Sequence, residues 1–74
     1  MSATLRLIGM LKDYTGGRSE TTVTAGQTIR SAVQSLGMPP ELAALVLVND
    51  VPQQKDYVLQ EGDVVKLMAV IGGG

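Results

Sequence analysis

Glu61-Gly62-Asp63-Val64-Val65-Lys66-Leu67-Met68-Ala69-Val70-Ile71-Gly72-Gly73-Gly74 carries most of what this chain discloses. Glu61-Gly62-Asp63 is a turn, Val64 to Ile71 reads as a strand, and three glycines follow it. With Val65, Leu67 and Ala69 assigned to the core, Val64, Lys66, Met68 and Val70 face the other way, because successive side chains on a strand alternate. An apolar row on a solvated face is a candidate docking surface, and methionine adapts its shape to a partner. The opposite parity would exchange the two sets, and ordinary surface hydrophobes would look the same.

Upstream, Ala3-Thr4-Leu5-Arg6-Leu7-Ile8-Gly9-Met10-Leu11 is read as one strand, with Leu5, Leu7 and Leu11 on one parity and Arg6 on the other. The turn Tyr14-Thr15-Gly16-Gly17-Arg18 leads to β-branched Glu20–Ala25, its antiparallel partner, so the chain opens with a hairpin. Thr28 is placed as the N-cap of a helix over roughly 28–37. Its stripe of Ile29, Val33 and Leu36 must lie on the hairpin for so short a helix to hold. Gly37 ends it, and Pro39-Pro40 prevent continuation. The continuous run Leu45-Val46-Leu47-Val48 predicts a central strand covered on both faces. Asn49-Asp50 is a turn, and Val51-Pro52-Gln53 is a short edge segment, since proline does not sit in a central ladder. The order β-β-α-β-(short β)-β predicts an α+β domain in which one helix crosses a mixed sheet, with the first and last strands side by side in its middle.

The chain has 74 residues, 45% hydrophobic and 18% charged, which is globular composition at the lower edge of domain size. Roughly 60% of the surface is buried at this size, enough for one small core but not for a deep cavity. Six Lys/Arg against seven Asp/Glu give a net charge of −1, so no basic field exists for nucleic acid or an anionic membrane. Cysteine and histidine are both absent, which removes disulfides, the usual zinc sites, thiol nucleophiles and triads with an imidazole base. Asp50, Asp56, Glu61 and Asp63 are read as solvated turn residues. Lys12, Arg18, Lys55 and Lys66 are read as scattered surface charges, and Tyr14 and Tyr57 as partial core or turn anchors. Gly16-Gly17 and Gly26 open no phosphate loop, because no Lys-Ser/Thr follows them into a helix. No catalytic residue and no metal ligand can be assigned. The N-terminus lacks the pattern of a signal peptide and no apolar run is long enough to span a bilayer, so a soluble, cytoplasmic protein is expected.

Gly72-Gly73-Gly74 is the feature with a chemical reading. Glycine loses the most backbone entropy on ordering, so the expectation is a domain over 1–71 and a flexible tail over 72–74, reaching about 10 Å past the sheet. An arm without side chains can thread a narrow cleft and bring a terminal carboxylate to a reactive centre. A frayed end is the plain alternative.

Leu5-Arg6-Leu7-Ile8-Gly9-Met10-Leu11-Lys12-Asp13-Tyr14-Thr15-Gly16 resembles the first strand and turn of the molybdopterin synthase small subunit. Val48-Asn49-Asp50 resembles a Val-Asn-Gly-type turn, and Leu59-Gln60-Glu61-Gly62-Asp63-Val64-Val65 a Leu-x-(Asp/Glu)-Gly-Asp-x-Val signature. Val70-Ile71-Gly72-Gly73-Gly74 is similar to a Val-(small)-Gly-Gly tail. Together these resemble the MoaD/ThiS sulfur-carrier family, which implies the ubiquitin-like β-grasp fold with a sheet of four to five strands.

The resemblance implies a carrier rather than an enzyme. An E1-like adenylyltransferase using ATP and Mg²⁺ would adenylate the carboxylate of Gly74, next to Gly73. A sulfur donor would convert it to a thiocarboxylate, and a sulfur-accepting synthase subunit would take the sulfur. The carrier itself would hold no cofactor. The two prolines common before the tail in molybdopterin-type subunits are replaced here by Met68-Ala69-Val70. The molybdopterin type leads, and thiazole, cysteine or tungsten-cofactor supply stay open. Two other functions fit the same residues: a ubiquitin-like modifier conjugated through Gly74, and a non-covalent binding module.

Overall fold

The computed structural model describes residues 1–69. In chain order it contains β1 (Ser2–Ile8), a 3₁₀ segment (Gly9–Thr15), β2 (Glu20–Thr24), α1 (Ile29–Ser35), a 3₁₀ turn (Pro40–Leu42), β3 (Leu45–Val48), β4 (Val51–Pro52) and β5 (Val64–Met68). The sheet order is β2-β1-β5-β3-β4. β1 and β5 run parallel at its centre, with Leu5 beside Val65 and Leu7 beside Leu67, while β2, β3 and β4 are antiparallel to their neighbours. This is the mixed β-grasp sheet with one α-helix across it. The 1–71 boundary, Val70 and Gly72–Gly74 lie outside the described residues.

α1 is only seven residues long and would not persist alone in water. Its first amides, which have no partner within a helix, are nevertheless all satisfied. Ile29 and Arg30 donate to the carbonyls of Tyr57 (3.0 Å) and Lys55 (2.9 Å), and Ser31 donates to the Thr28 hydroxyl (3.1 Å). The loop before β5 thus caps the helix jointly with Thr28. Ile29, Ala32 and Val33 are fully buried against Leu5, Leu7, Val65 and Leu67. Burying each large aliphatic side chain contributes about 1.5–3 kcal/mol, and these contacts, not helix propensity, hold α1 in place.

Three expectations need correction. The first strand ends at Ile8, and Leu11 reaches the core from the 3₁₀ segment instead. Gly9 there has φ +68°, in the left-handed region that a strand does not use, so the chain turns before the leucine. β3 is covered on one face only: Val46 and Val48 are buried, whereas Leu45 is exposed. A continuous apolar run therefore marks a core strand with an apolar outer face, not a strand sandwiched between two layers. Asp63 is not a solvated turn residue; it is buried at 6% exposure.

Candidate docking face and its supporting network

Alternation divides the central strands cleanly. On β5, Val65 and Leu67 are fully buried while Val64, Lys66 and Met68 are half-buried on the outer side, which is the parity read from the sequence. Lateral register then assembles an outer face. Ile8 of β1, Met68 of β5 and Leu45 of β3 align in one row at the end of the sheet from which the chain leaves β5. Ile8 is 44% exposed and Leu45 42%. One row back lie Glu20, Arg6, Lys66, Leu47 and Pro52. Arg6 Nε pairs with Glu20 Oε2 at 2.8 Å, and Lys66 Nζ with Asp50 Oδ1 at 2.9 Å.

Of the four residues assigned to docking from sequence, Val64, Lys66 and Met68 share this face and Val70 is not described. Ile8, Leu45 and Leu47 join them. Ile8 was legible by extending the Leu5/Leu7 parity by one residue. Leu45 and Leu47 were hidden because the apolar run was read as doubly covered.

At the opposite end of β5 a polar network fixes where the strand begins. Asp63 Oδ2 accepts from the Gln60 amide (2.9 Å) and the Tyr57 hydroxyl (2.9 Å), and Oδ1 accepts from Asn49 Nδ2 (3.0 Å). Asn49 Oδ1 accepts from the Val64 amide (3.0 Å), and the Asn49 amide donates to the Val64 carbonyl (2.8 Å). Asn49 and Asp50 both have positive φ, 51° and 70°, the left-handed pair that reverses the chain between β3 and β4. The Gln60 amide holds the Asp63 carboxyl below its ordinary value; the Asn49 and Tyr57 donors add to this, and burial opposes it. The hydrogen bond to Asp63 pushes the Tyr57 hydroxyl up. Three of the roughly four acceptor sites of this buried carboxylate are taken by donors within the domain, which makes it a structural group. It works as a clamp between the β3–β4 turn, the loop before β5 and β5 itself. Among the described residues no cluster of three or more His, Cys, Asp or Glu is placed to hold a metal, and no helix is long and apolar enough to cross a membrane.

A small domain of this topology with a triglycine after its central strand has counterparts. The model of the ThiS family matches residues 5–74. The chain belongs to the ThiS family. That family comprises ubiquitin-fold sulfur carriers, and in this ThiS-family chain the match runs through the last glycine. Among curated proteins no relative matches. Similar solved structures include SAMP1 from Haloferax volcanii, 21% identical over 100% of both chains with a TM-score of 0.70. Urm1 from Trypanosoma brucei is 22% identical over 99% of this chain and 95% of its own, with a TM-score of 0.71. A complex of subunits 1 and 2 of molybdopterin-converting factor from Helicobacter pylori contains a chain 21% identical over 100% of both, with a TM-score of 0.62. At these identities the likeness is one of fold, the ubiquitin-like β-grasp.

Proposed function

We propose that this ThiS-family chain carries sulfur as a thiocarboxylate on Gly74, and that its chemistry is performed by partners. The observation that carries the reading is that the family match includes Gly72-Gly73-Gly74, which follow the central strand β5 in the sequence after Ala69-Val70-Ile71. A carboxylate is a poor electrophile until an oxygen becomes part of a good leaving group. In the proposed sequence a carboxylate oxygen of Gly74 attacks the α-phosphorus of ATP on an E1-like enzyme, and pyrophosphate leaves. Mg²⁺ and the enzyme's cationic groups stabilise the phosphoryl charge. Hydrosulfide, or a donor equivalent to it, then attacks the acyl carbon and expels AMP. No net oxidation or reduction occurs in that exchange. The thiocarboxylate sulfur is a nucleophile that the glycine arm delivers to a sulfur-accepting synthase subunit, with the molybdopterin type favoured. The folded body supplies rigidity and the outer face of β1, β5 and β3 supplies the docking surface.

Incubation with ATP, Mg²⁺, an E1-like adenylyltransferase and hydrosulfide should yield an intact mass in which one oxygen is replaced by sulfur. Deletion of Gly73-Gly74 should abolish that species. Conjugates to lysines of other proteins, lost on the same deletion, would mean that an amine rather than sulfide attacks the acyl-adenylate. Cellular function that survives the deletion would leave a non-covalent binding module and sink the carrier reading.

A further inference from the structure

Arg6 and Lys66 stand directly beside each other on the parallel pair β1 and β5, both on the outer face. Neighbouring strands are only about 4.8 Å apart, and like charges facing across them repel. The two carboxylates that pair with them stand on the far flanks: Glu20 on β2 beyond Arg6, and Asp50 in the β3–β4 turn beyond Lys66. The resulting order is anion, cation, cation, anion, with the positive potential concentrated in the middle. Arg6 engages Glu20 through Nε alone, and Lys66 uses one donor on Asp50. A guanidinium has five N–H donors and an ammonium three, so most of their capacity has no acceptor among the described residues. Beside them the surface dips into a depression of ≈ 250 Å³ lined by Arg6, Leu7, Ile8, Ser19, Glu20 and Lys66, so Glu20 must swing off Arg6 for another carboxylate to enter.

We propose that this depression receives a glutamate or aspartate side chain from a partner protein, with the carboxylate held jointly by Arg6 and Lys66 and its methylenes resting on Ile8. The proposal deepens the docking reading of the outer face and rests on it. Charge complementarity names the occupant. A carboxylate between the two cations relieves their repulsion and takes up spare donors, and charge-assisted bonds of this kind are the stronger class. The existing pairs with Glu20 and Asp50 are exposed and worth little, so they yield without a large penalty. The row of Ile8, Met68 and Leu45 adjoins the site, so the matching partner surface presents an acidic residue beside aliphatic ones. With a net charge of −1 the chain has no general attraction for polyanions, which favours a single carboxylate over nucleic acid.

The test is titration of the full chain, followed by amide NMR at low salt, with two blocked peptides, acetyl-Leu-Glu-Leu-amide and acetyl-Leu-Gln-Leu-amide. The glutamate peptide should shift the amides of Arg6, Ile8 and Lys66 and bind roughly fivefold tighter than its neutral twin, as an acidic contact made by two cations requires. That advantage should vanish at about 0.5 M salt, where the Debye length falls to a few ångströms. It should also vanish in the Arg6→Gln/Lys66→Gln double variant and persist in Lys66→Arg. Equal binding of the two peptides overturns the proposal, and so do shifts confined to other surfaces, or inorganic phosphate reproducing the same shifts at equal strength. The peptide pair on the unaltered chain decides the matter even if the double variant folds poorly. None of these readouts involves Gly74. A chain that prefers the glutamate peptide but is never thiolated sinks the carrier reading alone, and one that is thiolated without the preference sinks this proposal alone.

Discussion

The two faces of β1, β5 and β3 share a backbone and differ in almost everything else. Inward, Leu5, Leu7, Val46, Val48, Val65 and Leu67 lie under α1 and are all but inaccessible. Outward, the same strands present Ile8, Leu45, Met68, Arg6 and Lys66, an apolar row beside a row of charges. The inner face has no polar side chain to satisfy and is held by packing alone, so each atom there bears on stability. The outer face is half wet, and its side chains give up little when changed. In a domain this small one layer of alternation separates the part that folds from the part proposed to meet partners.

The largest effect that would sharpen this contrast is on the inner face. Leu67→Ala removes a fully buried side chain from the central strand and should cost about 2–5 kcal/mol in urea unfolding. That is a large share of the stability of a typical small domain. A loss below about 1 kcal/mol would mean that the core is far looser than close packing implies.

The Asp63 clamp should give the next largest effect, and it carries a pH signature. Its carboxyl is held below the ordinary value in the folded state, chiefly by the Gln60 amide, so the stabilisation is fully present above the unfolded pKa of about 3.9. It is lost as pH falls through the lower folded value. Asp63→Asn should destabilise the domain at pH 7 by about 1–3 kcal/mol and flatten the fall of the thermal midpoint below pH 4. An unchanged acid limb in the variant would remove Asp63 from that role.

The smallest effect on stability belongs to the outer face. Leu45→Gln should change unfolding free energy by less than about 1 kcal/mol, since its side chain is already well exposed, yet weaken binding to the proposed E1-like partner about tenfold. A variant that unfolds as readily as Leu67→Ala would break the division between the faces. Arg6→Gln, which removes an exposed ion pair, should fall within about 0.5 kcal/mol by the same measurement.

Much of the fold was legible because it is periodic. The parity of β5, the opening hairpin, the Thr28 cap and the Val51-Pro52 edge follow from residue types a few positions apart, and the structure agrees with each. Asp63 was missed because nothing local distinguishes it from Glu61, its fellow on the far side of Gly62. Its burial depends on Asn49, fourteen residues upstream, and on Tyr57. Leu11 was misplaced for a related reason: its side chain does reach the core, but by a 3₁₀ turn that parity cannot register.

By itself, then, the sequence determined the alternation, the element order, the membership in a family ending in glycines and the absence of thiol or imidazole chemistry, since these are properties of residues and their near neighbours. Only the tertiary structure decided which side chains stand together: Ile8 with Met68 and Leu45, Arg6 with Lys66, Asp63 with Asn49 and Tyr57. Those meetings are set by the lateral register of strands far apart in the chain, and register is a collective outcome of packing a whole face at once.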